Sequence, residues 1–182
     1  MLIFEKVSSE NTAVALKVAF DKAKALSTDI VLSSTTGASG LMAIELAADA
    51  EFKGRIIVVT HVYSSGKNEL PETERKKLEA AGACIVTAAH ALSGTERAIS
   101  GKFGGVYPVE IMAHTLRMLS QGVKVCVEIS TMALDAGALK NPCSVVALGG
   151  TGRGLDTACV ITPGYSAKIF EARVHEILCK PY

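Results

Sequence analysis

Asp29-Ile-Val-Leu-Ser-Ser-Thr-Thr-Gly-Ala-Ser-Gly40, followed by Leu41-Met-Ala-Ile-Glu-Leu-Ala-Ala-Asp-Ala50, decides how the rest of the chain is read. Ile30 to Leu32 is β-branched and apolar, the pattern of a buried strand. Small residues then run from Ser34 to Gly40, and strong helix formers resume at Leu41. A strand, a hydroxyl- and glycine-rich turn and a helix together make a receptor for an anion. The first amides of a helix lack internal partners, and the helix dipole adds partial positive charge there. Gly37 lets a ligand approach the backbone, and Ser34, Thr35, Thr36 and Ser39 add hydroxyl donors. A helix N-cap at Thr36 or Ser39 would use only one of these hydroxyls. The surplus points to an anion site, with phosphate the expected occupant.

The chain has 182 residues, a length suited to one domain, 1–182, with a full core. Nineteen basic and eighteen acidic residues leave a formal charge of +1 without a block of either sign, which argues against nucleic acid and charged membrane surfaces as partners. Apolar content of 49% with 20% charged residues implies a well-buried interior or surface hidden in a homo-oligomer. No apolar run reaches membrane-spanning length and the N-terminus shows no signal-peptide pattern, so a cytoplasmic protein is expected. The cysteines at 84, 126, 143, 159 and 179 form no C-x-x-C pair and are not spaced with histidine as metal ligands. They read as reduced thiols, with Cys84 and Cys159 inside apolar β-like runs.

Met1 to Ser9 is β-prone, an arm or edge strand. Asn11 or Thr12 can cap a helix from Ala13 to Leu26. Arg55 to Thr60 is a second strand, apolar throughout and so expected to be buried on both faces. His61 follows it. Pro71 opens a helix that Gly82 closes. Ala83 to Thr87 is the third strand, with His90 just beyond. A loop containing Gly101, Gly104 and Gly105 leads to Pro108, which starts a helix to Gln121. Between Val123 and Leu139 two periodicities compete. Val123, Val125, Val127 and Ile129 alternate as in a strand, whereas Lys124, Glu128, Thr131 and Asp135 form a polar helical stripe. The helical pattern is longer, so helix is expected over Val123 to Ala138, with Glu128 and Asp135 on a solvated face.

Ser144 to Leu148 is the fourth strand and runs into Gly149-Gly-Thr-Gly-Arg-Gly154. These glycines match a dinucleotide fingerprint only superficially, because that motif must open a helix. The continuation Thr157 to Thr162 is a strand, so the glycines form a hairpin. Ala167 to Cys179 is expected to be a closing helix or mixed tail. The whole reads as a three-layer α/β/α domain.

Ile-Val-Leu-Ser-Ser-Thr-Thr-Gly-Ala-Ser, a helix, and Ile-Ile-Val-Val-Thr together resemble the C-terminal domain of pyruvate kinase. The likeness resumes at Asp135-Ala-Gly-Ala-Leu-Lys and continues through the last two strands. More closely, the chain looks like a family of stand-alone, largely archaeal proteins of that fold; pyruvate kinase activity is not implied. The resemblance implies a mostly parallel five-stranded sheet of order 3-2-1-4-5 with the last strand antiparallel. Such an order reverses between the first and fourth strands, and open α/β sheets bind ligands at the carboxyl ends there. The turn Ser34–Gly40 and the hairpin Gly149–Gly154 would then meet at one crevice.

The resemblance further implies that the crevice receives a phosphorylated small molecule. Its phosphate would rest on Ser34, Thr35, Thr36, Gly37, Ala38 and Ser39. Gly150, Thr151, Gly152, Arg153 and Gly154 would form a cover, with His61 at the edge. Flavin mononucleotide (FMN) is the ligand expected from stand-alone members. A sugar phosphate, held by a regulatory or sensor domain without catalysis, is the alternative. His61 and His90, taken singly, are expected to be structural or solvated, and they gain interest as a pair if both reach the crevice. His114 and Arg117 are expected at the surface or in an oligomer contact, and catalysis is left open.

Overall fold

In the computed structural model, which describes residues 1–182, β2 (Ile30–Ser33), β3 (Ile56–Thr60) and β5 (Val145–Gly149) form the sheet centre. They are apolar on both faces because helices cover both faces, and β3 and β5 are buried at every residue. β2 lies between β3 and β5, parallel to both, and β3 pairs in parallel with β4 (Cys84–Thr87). β6 (Thr157–Thr162) is antiparallel to β5. In the order of the sequence reading this is 3-2-1-4-5 with an antiparallel last strand.

Two further strands extend the sheet. β7 (Arg173–Pro181) pairs antiparallel with β6, and β1 (Leu2–Phe4) pairs in parallel with β7 at the edge. The full order is β1-β7-β6-β5-β2-β3-β4. Of the closing helix or mixed tail expected over Ala167 to Cys179, the structure has the mixed tail: a short 3-10 segment, Ser166–Glu171, followed by β7. Local propensity loses there because β6 and β1 offer hydrogen-bonding edges to either side of the segment.

One face of the sheet carries α1 (Asn11–Leu26), α2 (Ala38–Asp49) and α3 (Glu72–Ala80). Leu16, Phe20, Leu32, Val58, Leu78 and Leu148 meet in the core beneath them. The other face carries α6 (Gln121–Asp135), whose Ile129, Met132 and Ala133 pack on Val31, Ile57 and Val59. The expectation of helix over Val123–Ala138 is correct to its C-terminal turn. The expectation of a solvated stripe is not. Lys124 is 5% exposed, Glu128 1% and Thr131 0%, and only Asp135 reaches solvent. The sheet lies under one side of α6, and the chain after β4 lies over the polar side.

Between β4 and α6 the chain forms two more helices, α4 (Gly94–Phe103) and α5 (Pro108–Arg117). α4 forms where the sequence predicts a loop, because it buries no residue and so carries no core-facing periodicity. α5 stops at Arg117 rather than Gln121, and Ser120 caps α6 by accepting a hydrogen bond from the Val123 amide at 3.0 Å. No helix is long and apolar enough to cross a membrane.

Candidate functional site

The order reversal lies between β2 and β5, so the β2–α2 turn and the β5–β6 hairpin both leave the sheet at the carboxyl ends of neighbouring parallel strands. α2 begins at Ala38, three residues before the expected Leu41, which places Ser39 and Gly40 in its first turn. Gly37 bends the chain into the helix with φ of +93°, a left-handed value that favours glycine. A Cβ there would stand 2.9 Å from Leu70 Cδ1 and 3.0 Å from Glu74 Cβ. Close packing against α3 therefore requires Gly37, in addition to any ligand approach.

Gly37 stands at the N-cap of α2 and has no side chain to cap with, so Ser34 meets one first-turn amide from further back. Ser34 is 4% exposed, and its Oγ accepts from the Gly40 amide at 3.2 Å. Neither Thr36 nor Ser39 fills that role, so their hydroxyls are free. None of the amides from Thr35 to Ser39 donates to a protein acceptor. The turn is braced from below, where the Ser34 amide donates to the Val59 carbonyl at 3.0 Å and Thr60 Oγ1 donates to the Thr35 carbonyl at 3.3 Å. Thr36 and Ala38 are exposed, Thr35 and Ser39 half-buried and Gly37 buried, so the run of unpaired donors at the positive end of α2 reaches the surface only in part.

The hairpin is fixed on its other side. Leu155 donates its amide to Thr12 Oγ1 at 3.0 Å, the Thr151 amide donates to Asp156 Oδ2 at 3.0 Å, and Gly154 sits against Ser9 and Thr12. Thr12 thus ties α1 to the hairpin, and α1 has no side-chain N-cap, contrary to the sequence expectation. Gly150 is required by closeness, since a Cβ would lie 2.0 Å from the Gly154 carbonyl oxygen. Arg153 is exposed and makes no ion pair or hydrogen bond within the chain.

His61 and His90, unrelated in sequence, are brought together. Their ring centroids are 4.9 Å apart in an edge-on arrangement. His61 Nε2 is 3.5 Å from Thr35 Oγ1, and its Nδ1 is 3.2 Å from Glu69 Oε1. His90 Nδ1 is 3.1 Å from Glu128 Oε2. Lys124 Nζ donates to the same Glu128 oxygen at 2.6 Å, and the Leu92 amide donates to Oε1 at 2.9 Å. Burial opposes ionisation of Glu128, but the His90 hydrogen bond and the Lys124 ammonium outweigh it and lower the carboxyl to about 2.

The sequence reading therefore had the role of Glu128 reversed, as a solvated group, and gave Lys124 none. The signal available was an i, i+4 Lys–Glu pair on a helix otherwise rich in buried residues. Asp135, His114 and Arg117 do not join this group: Asp135 Oδ1 accepts from the Ser166 amide, and Arg117 donates to Gln121 Oε1.

Two hollows, of about 360 and 490 Å³, lie elsewhere. One is between Ala88, Met132, Asp135 and Ser166, the other between Leu2, Lys22 and Glu176.

Among solved structures, a lysine-to-alanine mutant of O-ureido-L-serine synthase with O-ureido-L-serine bound is similar to this chain at a TM-score of 0.30 and 16% identity. That match covers 78% of this chain and 50% of the other, so the chain spans half of that protein. The model of a family described as pyruvate kinase, alpha/beta domain, matches residues 12–161, from the start of α1 to the end of β6. The chain belongs to the pyruvate kinase alpha/beta domain family.

Proposed function

We propose that the protein binds a phosphorylated small molecule, with its phosphate on the amides of Thr35 to Ser39 and on the hydroxyls of Thr35, Thr36 and Ser39. The single observation behind this reading is the run of five unpaired amides at the amino end of α2. Free donors at a helix start, aided by the dipole, favour a compact anion. Ser34 is left out of the ligand set, because it is buried and its Oγ already meets the Gly40 amide. Arg153, exposed and without a partner, is free to meet the ligand from the hairpin side.

FMN is the first ligand to test, and a sugar phosphate the second. The sugar phosphate is favoured by the His61–His90 pair beside Thr35, which suits a small polar body better than a flavin ring. Titration of the protein with FMN and with riboflavin decides between them, and no affinity for either points to the sugar phosphate. FMN binding with riboflavin excluded supports the flavin reading, and equal affinities refute the phosphate site. Thr36→Ala is expected to weaken phosphate-dependent binding by about 1.5–3 kcal/mol, one hydrogen bond to a charged group. Arg153→Ala acts mainly at low salt, as an exposed charge does. We further propose that the protein works as a homo-oligomer in the cytoplasm, with no nucleic-acid or membrane partner.

A further inference from the structure

Lys124 and Glu128 form an ion pair with side chains 6% and 2% exposed. Removing two charges from water is costly, and a pair of apolar residues of similar size usually serves folding as well or better. Stability alone therefore gives little reason for the pair. Its product is a fixed carboxylate with both oxygens occupied, and His90 is held on one of them.

An ionised carboxylate only accepts hydrogen bonds, so His90 donates from Nδ1, and in that neutral tautomer Nε2 is the basic nitrogen. That Nε2 has no partner in the chain, and the His90 side chain is 35% exposed. The other charged and titratable groups facing the pair are His61 itself and Glu69 on the β3–α3 loop.

We infer that His90 is a catalytic base, with His61 as its acid partner, in proton transfer beside a carbonyl on a phosphorylated hydroxy-aldehyde or hydroxy-ketone. This rests on the phosphate reading of the turn. Thr35 touches both the donor run and His61, and His61 touches His90, so the reacting carbons lie a few bonds from the phosphate. Nε2 of His90 takes the proton from the carbon next to the carbonyl, and the C–H electron pair becomes the C=C bond of an enediolate. The carbonyl oxygen receives the negative charge and a hydrogen bond from the Nε2–H of protonated His61. The proton on His90 Nε2 trades with solvent, and a solvent-derived proton returned to the same carbon re-forms the carbonyl and completes exchange. Returned to the neighbouring carbon it completes isomerisation, provided His61 gives its proton to the former carbonyl oxygen and takes one from the adjacent hydroxyl. Glu128 and Lys124 are positioning residues.

The test is deuterium exchange of dihydroxyacetone phosphate in D₂O, followed by proton NMR against a protein-free control, alongside calorimetric titration with inorganic phosphate. Protein-dependent loss of the carbon-bound signal is expected, inhibited by inorganic phosphate and absent with unphosphorylated dihydroxyacetone. His90→Asn, at a partly exposed position, is expected to slow exchange by about 10²-fold or more while phosphate affinity holds. Glu128→Gln is expected to slow exchange while the KM for dihydroxyacetone phosphate holds, as the loss of a positioning residue would. Phosphate binding without exchange would overturn the acid–base centre and leave the phosphate site standing. Exchange that survives His90→Asn would also overturn it. Failure to bind phosphate at all would overturn both.

Discussion

Glu128 shows how far a residue's surroundings can reverse what its type implies. Its pKa is lowered in the folded protein to about 2 from an ordinary 4.5, so its contribution to stability is present above pH 4.5 and lost as pH falls towards 2. The amount is on the order of 3 kcal/mol, from a shift between these values at about 1.4 kcal/mol per unit. Urea unfolding across that pH range should show the decline, and a Lys124→Met, Glu128→Leu protein should lack this part of it. Equal pH slopes in the two proteins would count against the buried pair. Gly37 gives a second prediction at this scale. Gly37→Ala meets a φ of +93° and the side chains of Leu70 and Glu74, so it should cost about 1–2 kcal/mol from the backbone alone, with packing strain added. Thermal or urea unfolding measures it, and an unchanged midpoint would mean that the turn relaxes freely.

Among the elements, α4 and α6 stand at opposite extremes. α6 buries twelve of its residues and packs on the central strands, while α4 buries none and rests against α5. Local opening follows the amount of buried contact, so amide hydrogen exchange should be fast over Gly94–Phe103 and slow over Val123–Leu134. Comparable protection in the two would show that α4 is covered in solution. The same contrast explains what could be read from the chain. α6 was legible because its helical pattern was long enough to outweigh a competing alternation. α4 was not, because a helix that faces no core leaves no apolar stripe.

Across the whole molecule, a cover for α4 and α5 is the open matter. Ile99, Phe103, Val106, Ile111, Met118 and Leu119 are all exposed, with Phe103 at 71% and Met118 at 84%. A second copy of the chain is the expected cover, in line with the low charge fraction. Light scattering on the eluted protein should report an oligomer, and Phe103→Asp with Met118→Asp should yield a monomer; a monomeric parent would remove the idea. The sequence by itself determined the βα alternation, the order of the five central strands through its family likeness, and the turn from Ser34 to Gly40. These depend on short-range periodicity and on which residues tolerate a turn. Only the tertiary structure decided that the tail becomes β7, because a strand needs the neighbouring edges of β6 and β1. It alone joined Thr35, His61, His90, Glu128 and Lys124, since parallel strands bring together residues whose separation in sequence leaves no local trace.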